Sequence, residues 1–147
     1  MLADFQQALA DIVASPPLCR AVRANAAVLR ERYLLTDVEA RRLADMARQA
    51  GMTCNCILYR ANRLAPLALN FHDLSQALGD HLTPLVDEFW QRYPEAHANF
   101  LVECNRFGEF IRAKQADGLI LTSEARQVFD REYLDLQLRL LATYTIL

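Results

Sequence analysis

The feature that most constrains this chain is the recurrence of apolar residues every three or four positions along nearly its whole length. That spacing gathers them on one side of a helix but scatters them over both faces of a strand. "LTDVEARRLADMARQAG" shows it best: Val38, Leu43, Met46 and Ala47 form an inner face, and Thr36 with Glu39 has the spacing of a capping box. Gly51 supplies the expected C-terminal stop. "DFQQALADIVA" repeats the pattern with Phe5, Leu9, Ile12 and Val13 and stops at Pro16-Pro17. A second helix then carries Leu18, Val22, Ala26, Val28 and Leu29.

Further along, "ILYRANRLAPLALNFHDLSQALG" reads as helix disturbed at Pro66 and ended by Gly79. Thr83-Pro84 opens a short helix, "LVDEFWQRY", closed before Pro94. "EAHANFLVECNRFGEFIRAKQADG" makes a long one, with Phe100, Cys104, Phe107 and Ile111 on one stripe. Ser123 caps a last helix, "EARQVFDREYLDLQLRLLATY". There Leu134, Leu136, Leu138 and Leu140 alternate as a strand would, leaving helix and strand open over residues 134–141; the surrounding helix formers favour helix. The expected fold is all-α, a single compact bundle of about seven helices over residues 1–147, with little or no strand.

Bulk composition excludes several functions. The chain has 147 residues, the size of one domain, and is 53% hydrophobic and 23% charged, as a folded globular protein is. A net charge of -2 gives no general pull toward nucleic acid. No apolar run approaches the roughly 18 residues of a membrane span, and the acidic, glutamine-containing start is unlike a secretory signal. A cytoplasmic location is expected, and Cys19, Cys54, Cys56 and Cys104 suit a reducing compartment as thiols. Cys54-x-Cys56 is one ligand pair, whereas zinc needs two, and Cys19 and Cys104 make no second. Four glycines are too few for a glycine-rich phosphate loop.

Catalytic groups are equally scarce. His72, His81 and His97 lie at separate helix ends or loops, none with a second ligand at helical spacing, and no serine sits in a nucleophile elbow. No catalytic residue and no metal ligand is expected. Binding features stand out more. Tyr59, Asn62, Arg63 and Pro66 share one side of a helix, with Arg60 a quarter turn away. Asn62 is a poor interior helix residue, so something tertiary must compensate. Two readings stay open: an internal network in which the arginines pair with acids such as Asp73, Asp87 or Glu88, or a surface awaiting a partner. In "DEFWQRYP", Trp90 and Arg92 have the composition of interface anchors beside Phe89 and Tyr93. Within Arg106-Phe107-Gly108, the glycine costs about 1 kcal/mol against alanine in a helix, which close approach of another helix or of a partner would justify.

These motifs together carry a family resemblance. An opening "DFQQALADIV", the Tyr59-Arg60-x-Asn62 helix, "NF", "FW", Pro94 and the close Phe107-Gly108-x-Phe110-Ile111 resemble the N-terminal helical domain of partner proteins of multinuclear non-heme iron oxidative enzymes. Those partners once carried the label of DNA-binding domains. The likeness spans most of residues 4–112; the stretch from Tyr59 to Phe71 is a helical turn shorter than the common pattern, and His72 stands where proline is usual. The usual second, sheet-containing domain is missing, which makes the chain more similar to the compact accessory subunits of thiaglutamate (pearlin) synthesis and, more distantly, of methanobactin synthesis. The resemblance implies a non-catalytic subunit, in a heterodimer, that binds an iron-containing TIM-barrel enzyme and helps present a ribosomal precursor peptide for oxidative modification of a cysteine. The iron would sit in the partner enzyme. Tyr59, Arg60, Asn62, Arg63, Trp90, Arg92 and Arg106 would form the partner- and peptide-binding surface. Residues 29–56 are also similar to the small helical subunit of extradiol aromatic-ring-opening dioxygenases, again an accessory role. A DNA-binding helical domain is the remaining alternative, and the charge disfavours it.

Overall fold

A computed structural model describes residues 2–145. The described residues are helices and connecting turns, with no strand among them. Helices α1 (Leu2–Ala14), α2 (Pro16–Ala24), α3 (Ala27–Arg30) and α4 (Asp37–Arg48) precede the long α5 (Ala50–Asn70). Then come α6 (His72–Leu78), a 3-10 turn (Gly79–His81), α7 (Leu82–Arg92), α8 (Phe100–Ala116) and α9 (Ser123–Thr145). The chain divides into two compact units, residues 1–62 and 63–147. Each has its own apolar core.

The first unit is built on small and aliphatic side chains. Ile12, Val22, Leu29, Leu43 and Ala47 are fully buried, with Met52 and Cys56 from the start of α5. Ser15 accepts a hydrogen bond from Leu18 N (3.3 Å), and Pro16-Pro17 fills the first helical positions, so the prolines open α2. The capping box forms as its spacing predicts. Glu39 N donates to Thr36 Oγ1 at 3.2 Å, and Thr36 N donates back to Glu39 Oε2 at 2.8 Å. Those bonds from Thr36 hold the Glu39 carboxyl below its ordinary value.

Helix ends elsewhere in this unit are closed by side chains from other helices. Arg23 Nε donates to Ala47 O (2.6 Å) at the end of α4, and Arg48 Nε donates to Arg23 O (3.2 Å) near the end of α2. Each cation thus sits at the negative end of the other helix. Tyr33 donates its hydroxyl to Asp11 Oδ2 (2.6 Å), tying the α3–α4 connection to α1. Burial first, then the Asp11 hydrogen bond and charge, push Tyr33 up to about 12. Two expectations fail here. Val38 is 53% exposed, and Ala40, Leu43, Ala44 and Ala47 form the inner face of α4. Gly51 lies in the first turn of α5; extended Gln49 (φ -68°, ψ 144°) makes the break.

Aromatic rings fill the second unit. Phe71, Phe89, Phe107, Phe110 and Phe129 are fully buried or nearly so. Phe107 meets Phe71 edge-on at 5.6 Å and Phe89 at 5.2 Å, while Phe129 stacks on Tyr133 at 5.4 Å. Phe71, at the break between α5 and α6, has no side-chain oxygen with which to cap α6. Glu132 from α9 supplies it, accepting from Asp73 N (2.8 Å) and Leu74 N (3.0 Å). Gly79 then ends α6 with a positive φ of 51°.

Other boundaries differ from the expected ones. The 3-10 turn runs straight into α7, leaving Thr83-Pro84 inside its first turn and without a capping role. Helix α8 starts at Phe100 with Asn99 as its cap, and Phe100 itself is 63% exposed while Cys104, Phe107 and Ile111 are buried. Thr122, not Ser123, caps α9 by accepting from Ala125 N at 3.1 Å. Residues 134–141 are helix: Leu136 points into the core, whereas Leu134 and Leu138 face out.

Gly108 meets the close approach its presence suggested. A methyl there would lie 2.3 Å from Tyr133 Cε2 and 2.5 Å from Cδ2, on the ring of α9. Arg112, one turn on, places its guanidinium carbon 4.9 Å from the same ring's centroid. Gly108→Ala is therefore expected to lower stability by about 2 kcal/mol, overpacking outweighing the gain in helix propensity. Gly51→Ala, with open space around it, should be neutral or stabilising; urea unfolding of both variants checks the pair.

Candidate functional site

Along α5 the residues of the central motif differ in burial: Arg63 is buried, Tyr59 and Arg60 are half-buried and Asn62 is exposed. Arg63 points inward and is 5% exposed. Its Nη2 and Nε donate to Glu103 Oε1 at 2.5 and 3.1 Å. Nη2 also reaches Tyr93 O (2.9 Å) and Nη1 reaches Pro94 O (3.2 Å), both just past α7. The guanidinium carbon lies 5.6 Å from the Trp90 ring and 5.9 Å from Phe89. Glu103, in the first turn of α8, uses its other oxygen to accept from His97 N at 3.1 Å, with Arg106 Nη1 3.9 Å away.

This arrangement corrects the expectation for Arg63. A guanidinium that is 5% exposed, with four of its five N–H groups engaged inside the fold, belongs to the interior, and removing it would strand the Glu103 carboxylate in an apolar setting. Its carboxylate partner, Glu103, is not among the acids the sequence suggested. Asp73 pairs with Arg131 and Glu88 with Lys114 (2.8 Å), while Glu103 lies 40 positions from Arg63. The one sequence clue to Glu103 is an acid next to Cys104 in the first turn of a helix, on the side that the aromatic stripe buries.

Four of the seven expected site residues meet in the second unit. Arg63 and Arg106 face Glu103, Trp90 lies against the Arg63 guanidinium, and the Arg92 and Arg106 guanidinium carbons lie 6.0 and 5.9 Å from the Tyr93 ring. Arg92 is exposed, and Trp90 and Arg106 are half-buried. The other three belong to the first unit: Tyr59 and Arg60 are half-buried and Asn62 is exposed. Sequence reasoning did not single out the face of α5 that includes Asn62. Cys54, Ile57, Leu58 and Ala61 are exposed there, Ile57 by 61% and Leu58 by 59%, and no charged residue interrupts them.

The thiols divide by environment. Burial, and secondarily the Glu103 charge, push Cys104 up to about 12; its Sγ donates to Pro66 O at 3.3 Å. Cys56 is raised by burial and by the neighbouring Cys19. Cys54 is exposed. Among the described residues, no three metal-ligating side chains converge. No family model, curated protein or solved structure matches this chain.

Two outcomes follow for the site. Arg63→Ala or Glu103→Gln should each cost about 3–5 kcal/mol, and Arg63→Met combined with Glu103→Leu clearly less than the sum of the single changes. The sole tryptophan, Trp90, stacks near Arg63 and reports unfolding of this unit by fluorescence. With a thiol-reactive reagent, Cys54 alone should react quickly in the native protein, and all four cysteines in denaturant.

Proposed function

We propose that this chain is a non-catalytic accessory subunit that docks on a multinuclear non-heme iron oxidative enzyme and presents a ribosomally made precursor peptide to it. The observation that carries the reading is the outward face of α5 in the first unit, where Cys54, Ile57, Leu58 and Ala61 lie in the open without a charge among them. A solvent-facing helix side normally carries its charged residues. In this segment the charged side chain is Arg60, which points away from that face. An uncharged helix face of this kind suits coverage by another protein.

Asn62 lies one turn beyond Leu58 on the same side, and Tyr59 borders it. In this reading Ile57 and Leu58 are the apolar anchors, and Asn62 and Tyr59 meet backbone groups of the incoming chain. Arg60 contacts an anionic group or carbonyl at the margin. Trp90, Arg92 and Arg106 offer a second, aromatic-and-arginine contact in the second unit. Arg63 leaves the set of contact residues and becomes the residue that positions Trp90. The identity of the enzyme and the peptide rests on the resemblance, and the iron belongs to that enzyme.

Co-expression with such an iron enzyme, followed by affinity capture and titration with the precursor peptide, tests the proposal. Leu58→Glu should weaken capture of the enzyme by at least about tenfold, or ~1.4 kcal/mol, with an unchanged thermal midpoint. An enzyme and peptide that both ignore the wild-type chain would remove the proposal.

A further inference from the structure

Two thiols share the core of the first unit. Cys19 on α2 and Cys56 on α5 are buried in the same apolar cluster. One turn from each, Arg23 Nη2 donates to Thr53 Oγ1 at 3.0 Å. Arg23 shares a side of α2 with Cys19, and Thr53 shares a side of α5 with Cys56, so this bond brings the two cysteine-bearing faces together. The thiols themselves are hydrogen-bonding neighbours, and Cys56 Sγ also reaches Ile12 O at 3.8 Å. Of the other cysteines, Cys104 belongs to the core of the second unit. Cys54, two residues before Cys56 on the same helix, points to another side and is exposed. We propose that Cys19 and Cys56 form a redox-responsive staple, which a hydroperoxide closes into a disulfide that locks the start of α5 onto α2.

Oxidation enters through Cys56. It is 9% exposed against 3% for Cys19, and the Arg23 charge favours its thiolate. Having released its proton to water, Cys56 Sγ attacks the terminal peroxide oxygen. The O–O bond breaks, a sulfenic acid forms on Cys56, and the departing alkoxide takes up the released proton. Cys19 Sγ then attacks the Cys56 sulfur, the S–O bond breaks, and hydroxide leaves with the Cys19 proton as water. Two thiols are thereby oxidised, and the hydroperoxide is reduced to an alcohol and water. Burial, and then the neighbouring Cys19, raise Cys56 and keep it a thiol most of the time, so closure is slow. The finished bond closes a loop through α3 and α4, restricting the unfolded chain more than the folded one.

Full-length Cys54→Ser protein, which lacks the exposed thiol, tests the staple with hydrogen peroxide in native buffer. After quenching, unfolding in denaturant with N-ethylmaleimide counts the thiols that remain. Before oxidation three should be labelled; afterwards only Cys104 should be, in a chain lighter by two hydrogen atoms. Peptide mapping without reductant should find Cys19 joined to Cys56. The oxidised chain should melt about 10 °C higher by circular dichroism and return to its first midpoint with dithiothreitol. Cys19→Ala in the same background should remove both the bridge and the shift. Three labelled thiols after oxidation overturn the inference, and so does a bridge to Cys104 or oxygen added to Cys56 without a cross-link. A cross-linked chain that melts no higher overturns it as well. Failure of enzyme capture bears on the accessory role alone, because thiol counting needs no partner.

Discussion

The second unit is organised around one buried ion pair, Arg63 with Glu103. Two charges withdrawn from water are tolerated only when every remaining polar group near them is also satisfied. Here the guanidinium meets a carboxylate and two backbone carbonyls, and the carboxylate also takes the amide of His97. Those partners come from α5, from the residues after α7, from the connection before α8 and from α8 itself. The pair thereby fixes how the chain leaves one helix and enters the next. It also serves two helix ends at once: a cation closes the carbonyl end of α7, and an anion lies in the first turn of α8. Burial alone would not fix these positions, because apolar contacts lack direction.

Around that pair the aromatic rings settle the packing. Phe89 touches the Arg63 guanidinium on one side and Phe107, Phe110 and Tyr93 on others. Large flat side chains in mutual contact leave few alternative arrangements, and Gly108 lets Tyr133 come in against α8. The first unit uses a different device. Its buried alanines at 40, 44 and 47 permit close helix packing, and long arginines complete helix ends that lack short caps. Ring packing gives the second unit its shape specificity, while the first relies more on small residues and hydrogen-bonded ends.

How much of this was legible in the sequence follows from the range of each interaction. The Thr36–Glu39 box, the positive φ at Gly79 and the crowding at Gly108 are readable because a local requirement acts on one residue type. The all-helical fold is legible for the same reason, apolar spacing being a local pattern. Gly51 misled because glycine marks a helix end only where φ turns positive, and extended Gln49 had already made the break. Thr83 misled because a 3-10 turn upstream satisfied the start of α7. Arg63 is the deeper case. Its composition suits an interface and a buried network equally, and the deciding partner is far away in sequence. The internal-network reading is correct for Arg63, with a different acid from those named.

The outward faces follow another logic. Arg63 shows that polar residues in a helix can be consumed by the fold, so polarity is weak evidence for a waiting partner. Exposed apolar residues are the more telling sign, because the fold has already had its chance to bury them and has not. Ile57 and Leu58 on α5, and Leu134, Leu138 and Leu141 on α9, are in that position, and each set lies opposite the buried face of its helix. Leaving them in water costs free energy that a charged side chain would avoid. The two sets differ in kind. The α9 leucines line up at i, i+4 and i+7 along one side of a long helix. The α5 face combines two bulky residues with small neighbours and an exposed Asn62, giving a contoured surface without a repeat.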